Sequence, residues 1–107
     1  MSEFLQVCLV SDLVKDAGVA ALVNNKQIAL FYIDGQVYAT DNFDPIGKAN
    51  VMSRGMTGDR QGVLTVASPL YKEHYSLISG DCLDKEGISL PVYPARVVGE
   101  KVEVALD

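Results

Sequence analysis

Asp34-Gly35 stands between two apolar runs, Gln27–Ile33 and Val37–Asp41. A two-residue loop of this composition signals a type I′ turn, because both central positions take positive φ. It makes the flanking runs pair as antiparallel strands, and no other feature constrains the chain as much. Asn24-Asn25 repeats the device between Val19–Val23 and Gln27–Ile33, and Gly99-Glu100 repeats it between Arg96-Val97-Val98 and Lys101–Leu106. No stretch keeps a sustained helical period. Short strands joined by tight turns predict an all-β sandwich or barrel. At 107 residues, with no linker, internal repeat or low-complexity segment, 1–107 reads as one domain.

Gln27–Ile33 is apolar at almost every position, so it reads as a central strand covered on both faces. Phe4–Val10 alternates, with Leu5, Val7 and Leu9 on one face and Gln6, Cys8 and Val10 on the other. Ser11–Asp16 predicts a helical turn capped by Ser11 or Asp12. Ile88–Tyr93 is a short extended piece that Pro91 confines to a sheet edge.

Two stretches carry more than scaffold. Asn42–Gln61 holds Pro45, Gly47, Gly55 and Gly58 and has no period, so it reads as a long irregular excursion with a short turn near Asn50–Ser53. Such loops inside compact domains are usually functional. Val63–Gly80 reads as a strand to Ala67, a corner at Pro69, a second strand His74–Ile78 and a turn at Ser79-Gly80. This holds the polar loop Ser68-Pro69-Leu70-Tyr71 between two strands, a layout suited to a metal or a substrate.

Charge and composition narrow the function. The net charge is −5, with Lys and Arg scattered, which argues against nucleic acid and anionic membrane as partners. The longest apolar run, Ile28–Ile33, is too short to span a bilayer. The N-terminus lacks the pattern of a signal peptide. Cys8 and Cys82 are the only cysteines and read as reduced thiols of a cytoplasmic protein. No phosphate loop, dinucleotide fingerprint, zinc pattern or nucleophile elbow is present. His74 reads as a surface strand residue; a Cys-His nucleophile would require the fold to bring Cys8 or Cys82 to it. Asp41, Asp44 and Asp59 read as solvated loop carboxylates, Tyr32 and Tyr75 as core residues, and Tyr71 as an exposed contact.

The run S-P-L-Y-K-E-H-Y-S-L-I-S-G at the end of a small all-β domain resembles the Rieske ferredoxin domain. That family carries C-P-x-H, an aromatic residue and a T/S-G turn here, and C-x-H in the preceding long loop. The resemblance covers nearly the whole chain. It implies a β-sandwich or barrel with a smaller cluster-binding-type subdomain. On the family pattern Phe43 and Pro45 fall at the first Cys and His, and Ser68 and Tyr71 at the second. Tyr75 takes the aromatic position and Ser79-Gly80 the turn. A Rieske centre needs two thiolates and two imidazoles, so the resemblance implies a domain that has lost its cluster and its metal.

D-N-F-D-P, N-V-M-S-R-G-x-x-G-D-R-Q-G and A-S-P-L-Y-K-x-H-Y-S-L are similar to the small-subunit branch of bacterial NAD(P)H-dependent assimilatory nitrite reductases. That resemblance implies a cytoplasmic, non-catalytic chain without a cofactor of its own. Its partner would be a large catalytic subunit with FAD, an iron–sulfur cluster and sirohaem. The former cluster loops then read as a docking surface. Phe43, Ile46, Met52, Leu70 and Tyr71 would form its centre, rimmed by Asp44, Lys48, Arg54, Arg60 and Lys72. The alternatives are an electron carrier with atypical ligands, an unrelated protein-interaction module, and an independent enzyme using a cysteine with His74.

Overall fold

The computed structural model describes residues 3–106. Ten strands run along it: β1 (Phe4–Leu9), β2 (Gly18–Val23), β3 (Lys26–Ile33), β4 (Gln36–Asp41), β5 (Met56–Arg60), β6 (Val63–Ala67), β7 (His74–Ser76), β8 (Val92–Tyr93), β9 (Ala95–Val98) and β10 (Lys101–Ala105). They form three antiparallel sheets, ordered β1-β10-β9, β2-β3-β4-β8 and β5-β6-β7. Short 3-10 turns occupy Val10–Asp12 and Met52–Arg54.

β3 is the spine, and its near-continuous apolar sequence is explained by what covers it. Ile28 and Leu30 enter one core with Val23, Val37, Ala39, Val102 and Val104. Ala29, Phe31 and Ile33 enter the other with Met52, Val66, Tyr75, Leu77, Cys82 and Leu90. The four-stranded sheet is therefore a middle layer, with the β1-β10-β9 sheet on one face and the small β5-β6-β7 sheet on the other. Full burial of each of Ile28, Leu30 and Phe31 contributes about 1.5–3 kcal/mol. The turns that set this register are those of the sequence. Asn24 and Asn25 take φ 49° and 65°, and Asp34 and Gly35 take 51° and 78°. β8 lies at a sheet edge as Pro91 requires.

Three expectations are corrected. Simple alternation fails in β1, because the pairing with β10 shifts register between Gln6 and Cys8. That bulge sends Cys8 and Val10 inward beside Leu5 and Val7, and leaves Leu9 exposed. The excursion after Asn42 is irregular only in its first part; Met56–Arg60 is a strand paired with β6 from Met56↔Ala67 to Arg60↔Val63. M-T-G-D-R has little β propensity, and as an edge strand it needs little. The strand after the Pro69 corner stops at Ser76, whose hydroxyl accepts N–H bonds from Ile78 and Ser79 at 3.1 Å each.

Asn42 and Met52 hold the irregular part in place. The buried Asn42 carbonyl accepts the Ser53 N–H at 2.7 Å, and its amide donates to Gln27 Oε1 at 3.1 Å and to the Asn50 carbonyl at 3.3 Å. Met52 is a fully buried core plug, which removes it from the expected docking surface. Its apolar side chain anchors the loop instead of facing outward. Gly55 follows at a contact that admits no side chain, since a Cβ there would stand 2.4 Å from the Ala67 carbonyl. The first loop is thus pressed against the start of the second.

Candidate functional site

The two loops meet as two copies of one turn. D-P-I-G-K-A and S-P-L-Y-K-E fold alike from Asp44 and from Ser68. In the first, Lys48 N–H donates to the Asp44 carbonyl at 2.8 Å and Asp44 N–H to the Ala49 carbonyl at 2.8 Å. In the second, Lys72 N–H donates to the Ser68 carbonyl at 3.0 Å and Ser68 N–H to the Glu73 carbonyl at 2.9 Å. Both turns close on a lysine in left-handed backbone, φ 59° at Lys48 and 65° at Lys72. The repeat Pro, aliphatic, any residue, Lys was visible in the sequence and is the signal by which the site could have been found. It also corrects the reading that the chain has no internal repeat.

The first residues of the two turns are bonded to each other. Ser68 Oγ–H donates to Asp44 Oδ2, and both residues are buried. Asp44 Oδ1 accepts the Ile46 and Gly47 N–H groups at 2.8 and 3.0 Å, and Ser68 Oγ accepts the Leu70 N–H at 3.2 Å. Asp44 is therefore not the solvated rim carboxylate expected. Burial pushes its carboxyl up, but the bonds from Ser68, Gly47 and Ile46 together outweigh that and hold it below the ordinary carboxylate range. Leu70 lies over Gly47, where a Cβ would stand 2.3 Å from its side chain.

Phe43, set against Ser68 by the family pattern, instead bridges to Asn50 and is exposed. The residue bonded to Ser68 is its neighbour Asp44, within the one-residue tolerance of the family placement. Pro45 and Ile46 are half-buried in the turn. Leu70 is 45% exposed and Tyr71 62%. Phe43, Leu70 and Tyr71, with the partly exposed Ile46, make an apolar tip whose two turns also carry the exposed Lys48 and Lys72, and Arg54 is exposed further along the first loop.

Beneath the tip lie two buried polar atoms without a hydrogen-bond partner among the described residues, Tyr75 Oη and Glu73 Oε1. Burial first, then the charges of Asp44, Cys82 and Glu73, push the Tyr75 phenol up. Glu73 Oε2 lies 3.7 Å from Lys85 Nζ.

The residues at the loops do not fit a Rieske centre. Asp44, Ile46, Ser68 and Tyr71 offer neither thiolate nor imidazole, and Asp44 and Ser68 are bonded to each other. Cys8 lies on β1, where burial and Asp12 push its thiol up. Cys82 pairs with Tyr75 and sits in the core. His74 is half-buried rather than a free surface histidine. Its ring Nδ1 stands 3.1 Å from Arg60 Nη2 and 3.2 Å from Asp84 Oδ2, and the His74 backbone N–H donates to Asp84 Oδ2 at 2.7 Å. That N–H, then Arg60, hold the Asp84 carboxyl at about 2. Arg60 is thereby engaged with Asp84 rather than free on the rim. Among the described residues no group of three or more His, Cys, Asp and Glu is placed to hold a metal, and no helix is long and apolar enough to cross a membrane.

The chain belongs to the Rieske-like [2Fe-2S] domain family, which matches residues 3–105. Within it the branch is that of nitrite reductase small subunits. The chain is 40% identical over 99 residues to the nitrite reductase (NADH) small subunit of Escherichia coli K12, covering 91% of this chain and 92% of that one. It superposes with TM-score 0.82, at 39% identity, on the solution structure of the nitrite reductase [NAD(P)H] small subunit from Erwinia carotovora, covering 100% of this chain and 84% of that one. A nitrite reductase [NAD(P)H] large subunit of Klebsiella oxytoca also contains a region 40% identical over 98 residues, which is 92% of this chain and 10% of that one.

Proposed function

We propose that this chain is the small, cluster-less and non-catalytic subunit of a cytoplasmic NAD(P)H-dependent nitrite reductase of nitrate assimilation. It docks through its two-turn tip on the large subunit. That subunit would carry FAD, an iron–sulfur cluster and sirohaem and reduce nitrite to ammonium. The observation that carries the proposal is the Ser68–Asp44 bond. It ties the two loops together with side chains of the chain's own, where the family pattern uses a metal centre. Ordering two loops is costly in conformational entropy, and the turns so ordered hold Leu70 and Tyr71 outward. Exposed aromatic and aliphatic anchors inside a polar rim suit a protein partner. The Klebsiella chain, in which a domain of this kind is part of a large subunit, supports the pairing.

The test is to purify the large subunit with and without this chain and to follow NADH-dependent nitrite consumption. Co-elution, altered turnover and an iron-free, colourless small chain are expected. Independent elution with equal turnover would sink the docking. A coloured, iron-containing small chain would favour an electron carrier with atypical ligands.

A further inference from the structure

Both turns of the tip close in left-handed backbone, where a Cβ is strained and glycine is the usual occupant. Both keep a lysine there, at φ 59° and 65°. A strained position held by a charged, exposed residue in each of two equivalent turns points to work for the side chain.

The charge map says what kind of work. Four of the nine Lys and Arg side chains are ion-paired, Lys26, Arg60, Lys85 and Arg96. Of the other five, Lys48 and Lys72 lie in the two turns of the tip. Arg54 is exposed in the same loop as Lys48, at the end of the Met52–Arg54 turn. The carboxylates nearby are engaged. Asp44 is buried on Ser68, Ile46 and Gly47, and Glu73 faces Lys85. Asp44 keeps its negative charge, held beneath the surface on neutral donors, so the exposed charges of the two turns are those of Lys48 and Lys72, on a molecule of net charge −5.

We infer that the tip enters an acid-rimmed apolar recess on the large subunit. The recess takes the Leu70 and Tyr71 side chains on its floor and sets carboxylates against Lys48, Lys72 and Arg54. The inference rests on the docking reading above and adds the chemistry of the partner surface. Complementary charge of this kind steers encounter and fixes orientation more than it adds affinity, and it is screened by salt. It also discriminates against any basic or neutral face of the same partner.

The test titrates this chain onto the purified large subunit at about 0.1 M and about 1 M salt, between which the Debye length falls from about 10 to about 3 Å. The informative variant is Lys48→Gly with Lys72→Gly. It removes two charges while placing the residue that both turns favour, so the fold is kept and thermal unfolding does not move downward. Arg54→Gln, at the exposed last residue of the Met52–Arg54 turn, gives an independent reading. The parent is expected to bind about tenfold more weakly at the higher salt. The lysine variant is expected to bind about tenfold more weakly than the parent at the lower salt, with the difference vanishing at the higher. Parent binding indifferent to salt and to all three substitutions overturns the acid-rimmed recess and leaves the docking reading standing. Failure of the parent to bind at low salt overturns both. Tighter binding of the parent to phosphatidylserine vesicles than to the large subunit would also overturn the inference.

Discussion

Replacing Asp44 by alanine removes one side chain and leaves three donors without a partner: Ser68 Oγ–H and the Ile46 and Gly47 N–H groups. A buried donor left unpaired costs about 1–3 kcal/mol, and bonds to a charged acceptor lie at the upper end. Because the native carboxylate is itself desolvated, the net loss falls below the sum, at about 3–4 kcal/mol. A domain of this size has about 5–15 kcal/mol in all, so the variant should unfold about 12–20 °C lower. Ser68→Ala leaves Asp44 its two backbone donors and should cost about 1–2 kcal/mol. Asp44→Asn keeps the volume and can still accept from the backbone and donate to Ser68, so a similar 1–2 kcal/mol, roughly, is expected.

Acid adds a second reading of the same bond. The Asp44 carboxyl is held below its ordinary value when folded. Its contribution is therefore complete above the unfolded carboxylate value, near about 3.9, and is lost as pH falls through the lower folded value. The gap between parent and Asp44→Asn should shrink below about pH 4. Urea titrations at neutral and acid pH measure both effects. Asp44→Ala within about 0.5 kcal/mol of the parent at pH 7, the range of an ordinary surface change, would refute the reasoning.

Met52→Ala should cost about 2–5 kcal/mol because the side chain is a buried plug, whereas Leu70→Ala should stay within about 0.5 kcal/mol and lose affinity for the large subunit; denaturation and titration separate the two. Gly55→Ala should destabilise by about 1–3 kcal/mol, since its Cβ would stand 2.4 Å from a carbonyl, and calorimetry reads the shift. Chelator should leave thermal unfolding of the small chain unchanged, whereas a metal-tied domain would lose much of its stability.

The middle layer of this fold was legible in the sequence because its determinants are local. Asn24-Asn25 and Asp34-Gly35 each specify a turn on their own, and β3 reports its double burial by being apolar throughout. β5 was hidden because its partner β6 supplies the β-branched residues and M-T-G-D-R supplies mainly backbone. The bulge near Val7 was hidden because alternation counts residues and a bulge adds one. At the tip, the exposure of Tyr71 followed from its loop, but the burial of Asp44 did not. A carboxylate becomes a core residue only when its donors converge on it, and one of those donors, Ser68, is 24 positions away. Met52 misled because an apolar residue in a loop serves equally as plug or contact, and only packing separates the two.

The tip as docking surface is tested most directly by amide hydrogen exchange of this chain with and without the large subunit. The account predicts new protection concentrated in residues 43–48 and 68–72, with the β1-β10-β9 sheet unchanged. Protection confined to that sheet, with the two turns exchanging as in the free chain, would contradict it.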